Sequence, residues 1–163
     1  MNKRKCDSSI GFFILMFFLI LINIPADSQE ILKVQNGATF TIQSGAQVVI
    51  QGGLTLDNGS TLSNAGTITL KQNGVSGAAD WTDNTVSAYN YGTGKVVFNG
   101  TGGHLVNSKN TFERIDVDAS GAVTLGSDIN ANKWYLINGK INTTSSYKAI
   151  ALSNSQLAVE ADA

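Results

Sequence analysis

Between Leu32 and Gln72 the chain alternates apolar and polar residues in short bursts that recur at a nearly fixed distance. Leu32, Val34, Asn36, Gly37 and Phe40 return 22 positions later as Leu54, Leu56, Asn58, Gly59 and Leu62, while Val48 and Ile50 return after 20 as Ile68 and Leu70. Alternation with period two marks a strand with one buried face, because successive side chains point to opposite sides. Each repeat holds three such segments, Leu32/Val34, Phe40/Ile42 and Val48/Ile50, separated by polar corners. Three strands per repeat predict a coil of roughly triangular section. The predicted fold is all-β: a right-handed parallel β-helix, or β-solenoid, with about 20–22 residues per turn.

The residue types fit that coil. Inward positions carry Leu, Val, Ile and Phe, each contributing roughly 1.5–3 kcal/mol when fully buried. Outward positions carry Lys33, Thr41, Thr55, Ser63 and Thr69, and threonine suits a pleated, half-wet surface. Asn36-Gly37 and Asn58-Gly59 tolerate the positive φ of a tight corner, and the two asparagines are placed to stack as an amide ladder. Asn-Gly also suits antiparallel hairpins. A meander, however, has no reason to keep a three-strand period, which favours the coil.

Ahead of the coil, Lys3, Arg4 and Lys5 precede an apolar run from Ile10 to Ile22 and then Ala26-Asp27-Ser28. This order predicts a secretory signal peptide over residues 1–28, cleaved after Ser28. A membrane anchor needs about 20 apolar residues, more than this run holds. The single cysteine, Cys6, lies before the run, where a lipid-bearing cysteine would follow it. Cleavage leaves about 135 residues without Met, Cys or Pro, so burial and backbone pairing alone must stabilise the secreted chain. Eight basic residues then face ten acidic ones. That balance argues against a nucleic-acid partner, which demands a Lys/Arg-rich face. The membrane is met only during export.

Residues 29–72 are thus read as regular solenoid turns, and residues 73–94 as an irregular turn or loop in which alternation lapses. The irregular stretch carries Trp81, Tyr89 and Tyr91. Aromatics on a loop stack on sugar rings, which makes these three the candidate ligand-binding residues. The plainer alternative, favoured by the usual burial of Trp, has Trp81 and one Tyr closing the core over a widened turn. Residues 95–163 resume the alternation as Val96/Phe98, Ile115/Val117, Val123/Leu125, Trp134/Leu136 and Ile150/Leu152.

This second half resembles the repeat of large secreted Bacteroidetes-type β-solenoid proteins, adhesin-like and often ending in a type 9 secretion sorting domain. The matching residues are Trp81; Gly94, Val96, Phe98 and Gly100; Phe112, Ile115 and Val117; Gly121, Val123 and Leu125; and Leu136, Gly139, Ile141 and Thr143. His104-Leu105-Val106 departs from the usual Gln-x-Ile, and Trp134 stands where a smaller apolar residue is usual. The pattern consists of fold positions, so the resemblance implies architecture and export and transfers no catalytic residue. The chain stops at Glu160-Ala161-Asp162-Ala163 without a sorting domain or polar cap, from which an N-terminal piece of a longer protein or a truncated reading frame is expected.

Candidate chemistry is sparse. His104 is the single histidine, too few for a His-based nucleophile pair or a Cys/His metal site, and is expected at the surface or an edge. Asp116 and Asp118 flank Val117 and share an outward face with Arg114. They are the candidate metal residues, for Ca²⁺, with Asp128 or Glu113 as further oxygen donors. Solvated charges that discourage edge pairing are the plainer alternative. Asp80 and Asp83 flank Trp81-Thr82 and are read as polar loop residues or a cation site. Asn58-Gly-Ser60, Asn99-Gly-Thr101 and Asn142-Thr-Thr144 match the glycosylation pattern, which would carry little weight in a bacterial protein of the kind the resemblance implies. The expected function is a secreted, non-catalytic surface or adhesion-type module contacting polysaccharide or other cells. The alternatives are a fragment of a polysaccharide-active lyase or hydrolase and a purely structural spacer.

Overall fold

The computed structural model describes residues 30–72, 80–83 and 85–159. The expected leader, residues 73–79 of the irregular segment and residues 160–163 lie outside them. The described residues form a parallel β-solenoid of about six turns, with thirteen strands and three faces. On the first face β1 (Glu30–Val34), β4 (Gly52–Leu56), β7 (Trp81–Asp83) and β10 (His104–Ser108) lie side by side. The second holds β2 (Thr39–Ile42), β5 (Thr61–Asn64) and β8 (Tyr89–Asn90), and the third β3 (Gln47–Ile50), β6 (Thr67–Gln72) and β9 (Lys95–Gly100). β11 (Thr111–Leu125), β12 (Ile129–Asn142) and β13 (Ala149–Val159) are longer and turn corners without leaving the ladder. In β11, residues 114–119 pair with β9 while residues 123–125 pair with β10. Every pairing is parallel, which excludes the hairpin meander.

The register is the one the repeat predicts. Leu32 pairs with Leu54, Phe40 with Leu62, and Val48 with Ile68. Stacking then carries apolar columns through the coil. One runs Leu32, Leu54, Trp81, Val106, Leu125, and another Ile50, Leu70, Phe98, Val117, Leu136. Phe98, Leu62 and Val117 are fully buried, so each column position gains burial from the turns above and below. The predicted period holds only at the start. The step lengthens to 28 residues between Ile68 and Val96, then settles at 19 from Val96 to Ile115 and from Ile115 to Trp134.

The corners show what the Asn-Gly pairs do. Gly37 and Gly59 have φ of 78° and 79°, a region open to glycine at little cost. The two asparagines do not stack as a simple ladder. The Asn36 side chain packs over Gly59, where a Cβ would lie 2.3 Å from its Oδ1, while Asn58 Oδ1 accepts from Thr85 Oγ1 at 3.4 Å. Gly37→Ala is expected to cost about 1–2 kcal/mol from backbone strain alone, since nothing lies within 4 Å of its Cβ position. Gly59→Ala adds a clash with Asn36 and is expected to lower the denaturation midpoint further. Equal midpoints for the two variants would contradict this packing.

Candidate functional site

The three aromatic residues singled out in the irregular turn divide between core and surface. Trp81 follows Leu54 in an inward column and is fully buried, and Tyr89 follows Leu62 on the second face. With Phe112 they form a ring cluster, with centroids 4.9 Å apart for Trp81/Tyr89, 5.0 Å for Trp81/Phe112 and 5.2 Å for Tyr89/Phe112. The cluster fills the widened turn, as edge-to-face rings do well. Burial pushes the Tyr89 phenol above its ordinary range, partly offset by Asn64 Nδ2, which donates to its oxygen at 3.2 Å. Trp81 is thus wholly a core member, and Tyr89, 4% exposed, is a core member that also lines the groove beside Tyr91. Tyr91, half-buried against the core, keeps solvent surface. It borders a groove of about 510 Å³ with Thr61, Val86, Lys109 and Thr111. Ser87, with φ of 71°, shapes one wall, and its N–H donates to Asn110 Oδ1 at 2.7 Å.

The neighbouring acids are not surface loop residues. Asp83 is 1% exposed because it takes the inward position that Leu56 holds one turn earlier and Ser108 one turn later. Four donors meet it: Trp81 Nε1 and Ser108 Oγ on Oδ2, and the Lys109 N–H and Asn110 Nδ2 on Oδ1, the last two at 2.8 Å. Desolvation raises its pKa, and the four hydrogen bonds pull against that rise. Asp80 is equally buried and accepts the Leu105 N–H at 2.8 Å. His104 is likewise interior, not at an edge. Its ring packs on Phe98, its Nε2 lies 3.1 Å from the Asn99 carbonyl, and its Nδ1 lies 3.6 Å from Asp80 Oδ2. A short polar run between strands looks like a loop in sequence, but a three-residue strand here turns it inward.

The third face gathers the remaining charge. Asp116 is outward in register yet its side chain is only 2% exposed, because Lys95 Nζ meets its Oδ2 at 3.1 Å and Arg114 closes on both of its oxygens. Asp118 accepts from Asn99 Nδ2 at 2.9 Å. Two cations on Asp116 would repel Ca²⁺, and no group of three or more His, Cys, Asp or Glu able to hold a metal occurs among the described residues. The arrangement does not fit the calcium site considered from sequence. Arg114 also stacks over Tyr135, with Cζ 3.8 Å from the ring centroid. Lys133 Nζ pairs with Glu113 Oε1 at 2.8 Å. Hydrogen bonds from Lys133 and Asn132 hold the Glu113 carboxyl below its ordinary pKa. These groups border a shallow groove of about 590 Å³ at the corner between the second and third faces. Sequence reading missed Lys95, Lys133 and Tyr135. The signal was present, since Lys95, Arg114 and Lys133 are spaced by 19 residues.

The architecture and these two grooves define a parallel β-solenoid with polar outer faces. No family model matches the chain, and neither a curated protein nor a solved structure is significantly similar to it.

Two stability measurements test the buried acid. Asp83→Asn places an NH₂ group against two donors, leaving one of them unmet, and is expected to cost about 1–3 kcal/mol at pH 7. The raised folded-state pKa means that the folded form binds the proton more tightly than the unfolded one. The contribution of Asp83 is therefore largest below its unfolded value and declines as pH rises through the folded value. Denaturation from pH 3 to 8 should show the stability gap between the wild type and Asp83→Asn narrowing with rising pH. A gap that widens instead would refute the desolvated carboxylate. Glu113 carries the opposite sign, stabilising above its unfolded value and losing that contribution as pH falls through its lowered one.

Proposed function

We propose that this chain is a secreted, non-catalytic β-solenoid module of an adhesion-type surface protein that contacts polysaccharide along its outer faces. The observation that carries this reading is the groove beside Tyr91. An aromatic edge there stands among the hydroxyls of Thr61 and Thr111, the amide of Asn90 and the ammonium of Lys109, which is the mixture of flat apolar and hydrogen-bonding surface that sugars use. The rigid stack beneath holds these groups in place without a ligand, so little ordering cost opposes binding. Asp116 commits its oxygens to Lys95 and Arg114, which weighs against a role as acid or base. The resemblance of the second half to secreted adhesin-like repeats, together with the leader pattern, supports export.

The test is a glycan array with and without Ca²⁺, run alongside an assay for cleavage of the same sugars. Binding without cleavage, unchanged by calcium chelation, is expected. Asn90→Ala and Thr111→Ala together should weaken it at least tenfold while leaving the melting midpoint near that of the wild type. Release of reducing or unsaturated ends would establish an enzyme and overturn the proposal, as would silence towards every glycan. In a secreting bacterial host the exported protein should begin at Gln29 by N-terminal sequencing; a cell-retained chain beginning at Met1 would overturn the export reading.

A further inference from the structure

Parallel register forces Lys95, Arg114 and Lys133 into one vertical column on the third face, each paired directly with the next. Strand spacing places their backbones about 4.8 Å apart. Three like charges at that spacing repel one another, and the fold answers with two carboxylates. Asp116 sits beneath Lys95 and Arg114, and Glu113 beside Lys133. The order of depth matters more than the count. The Asp116 side chain is 2% exposed, whereas Lys95, Arg114 and Lys133 are 37%, 33% and 42% exposed. The Asp116 charge is thus on the inside, Glu113, 21% exposed, stands at the groove beside Lys133, and the three cations face water. Asp116 and the Tyr135 ring hold Arg114 in one orientation, so the column is set before any ligand arrives. Beside it the groove floor is small and flat, made by Gly45, Ala65 and Gly66. Gly66 has no room for a Cβ, which would lie 2.4 Å from the Ala46 carbonyl oxygen.

We propose that the Lys95–Arg114–Lys133 column is a binding site for an acidic polysaccharide lying along the solenoid axis, its carboxylates meeting cations on more than one turn. This rests on the polysaccharide-contact reading above and adds its own site and ligand class. The step between turns is about 4.8 Å, so one extended acidic chain lying along the axis passes all three cations. Each single contact is exposed and weak. Several such contacts on one ligand chain act as one multivalent site, because the later ones form within the first encounter.

The experiment is calorimetric titration of the full chain with polygalacturonate oligomers, with neutral dextran and single-stranded DNA as comparison ligands, at 20 and 300 mM NaCl. Polygalacturonate should bind at low salt, weaken at least tenfold at high salt, and exceed both comparison ligands. Lys95→Gln with Lys133→Gln should reduce binding at least tenfold with an unchanged circular dichroism spectrum. Lys140→Gln, an exposed lysine outside the column, should leave binding unchanged. Tighter binding of DNA, equal loss with Lys140→Gln, or full binding by the double variant would overturn the proposal. Failure of polygalacturonate with persistent binding of a neutral glycan sensitive to Asn90 and Thr111 would overturn this site alone. Failure of every glycan would overturn the wider reading as well.

Discussion

The structure depends on the registered hydrogen bonding of parallel strands from one turn to the next. Once Leu32 is paired with Leu54 and Val48 with Ile68, each later residue has a fixed neighbour above and below. A side chain then belongs to a column before it belongs to a segment. Apolar columns make the core, and the same rule governs exceptions. Asp83 falls in the column of Val34 and Leu56, so it is buried whatever its chemistry, and it persists there because Trp81, Ser108, Lys109 and Asn110 supply donors to both oxygens. A buried carboxylate with fewer partners would be far more costly.

This rule also explains what was legible in the sequence. The first two turns keep steps of 22 and 20, and their strands, corners and inward residues could be read directly. The step then lengthens to 28, its extra residues falling between Leu70 and Trp81, and the echo on which the reading relied is lost. Past that point Asp80, Asp83 and His104 had no visible column, and their polarity suggested surface. The later 19-residue spacing was equally clear in the Val96, Ile115, Trp134 series. The half-buried pairs were recognised there one strand at a time, without the step that relates them. The Lys95, Arg114 and Lys133 alignment was lost with it.

Stacking imposes a further demand on surfaces. In an ordinary sheet a lysine can be surrounded by dissimilar neighbours, but a solenoid of constant step repeats what it repeats. Where the repeat is Thr or Gln, as at Gln47 and Thr67 ahead of Lys95, the face is bland. Where it is a cation, the fold must supply counter-charge, and Asp116 supplies it from below, aided by the Tyr135 ring. The outer face is thus under two constraints, the pleat that sets where a residue points and the electrostatics that decide what can stand beneath it.

The third turn has one more consequence, mechanical in kind. Its β7 has three residues and its β8 two, so on those two faces the ladder is short, while on the third face β9 pairs six residues with each neighbouring strand. A pull along the axis loads the turns in series, and on the first face the load between the third and fourth turns passes through three paired residues. Asp83 bridges that link, reaching from the third turn to Ser108, Lys109 and Asn110 of the fourth. The carboxylate acts as a rivet there, adding a polar contact inside the core to a short ladder on its surface.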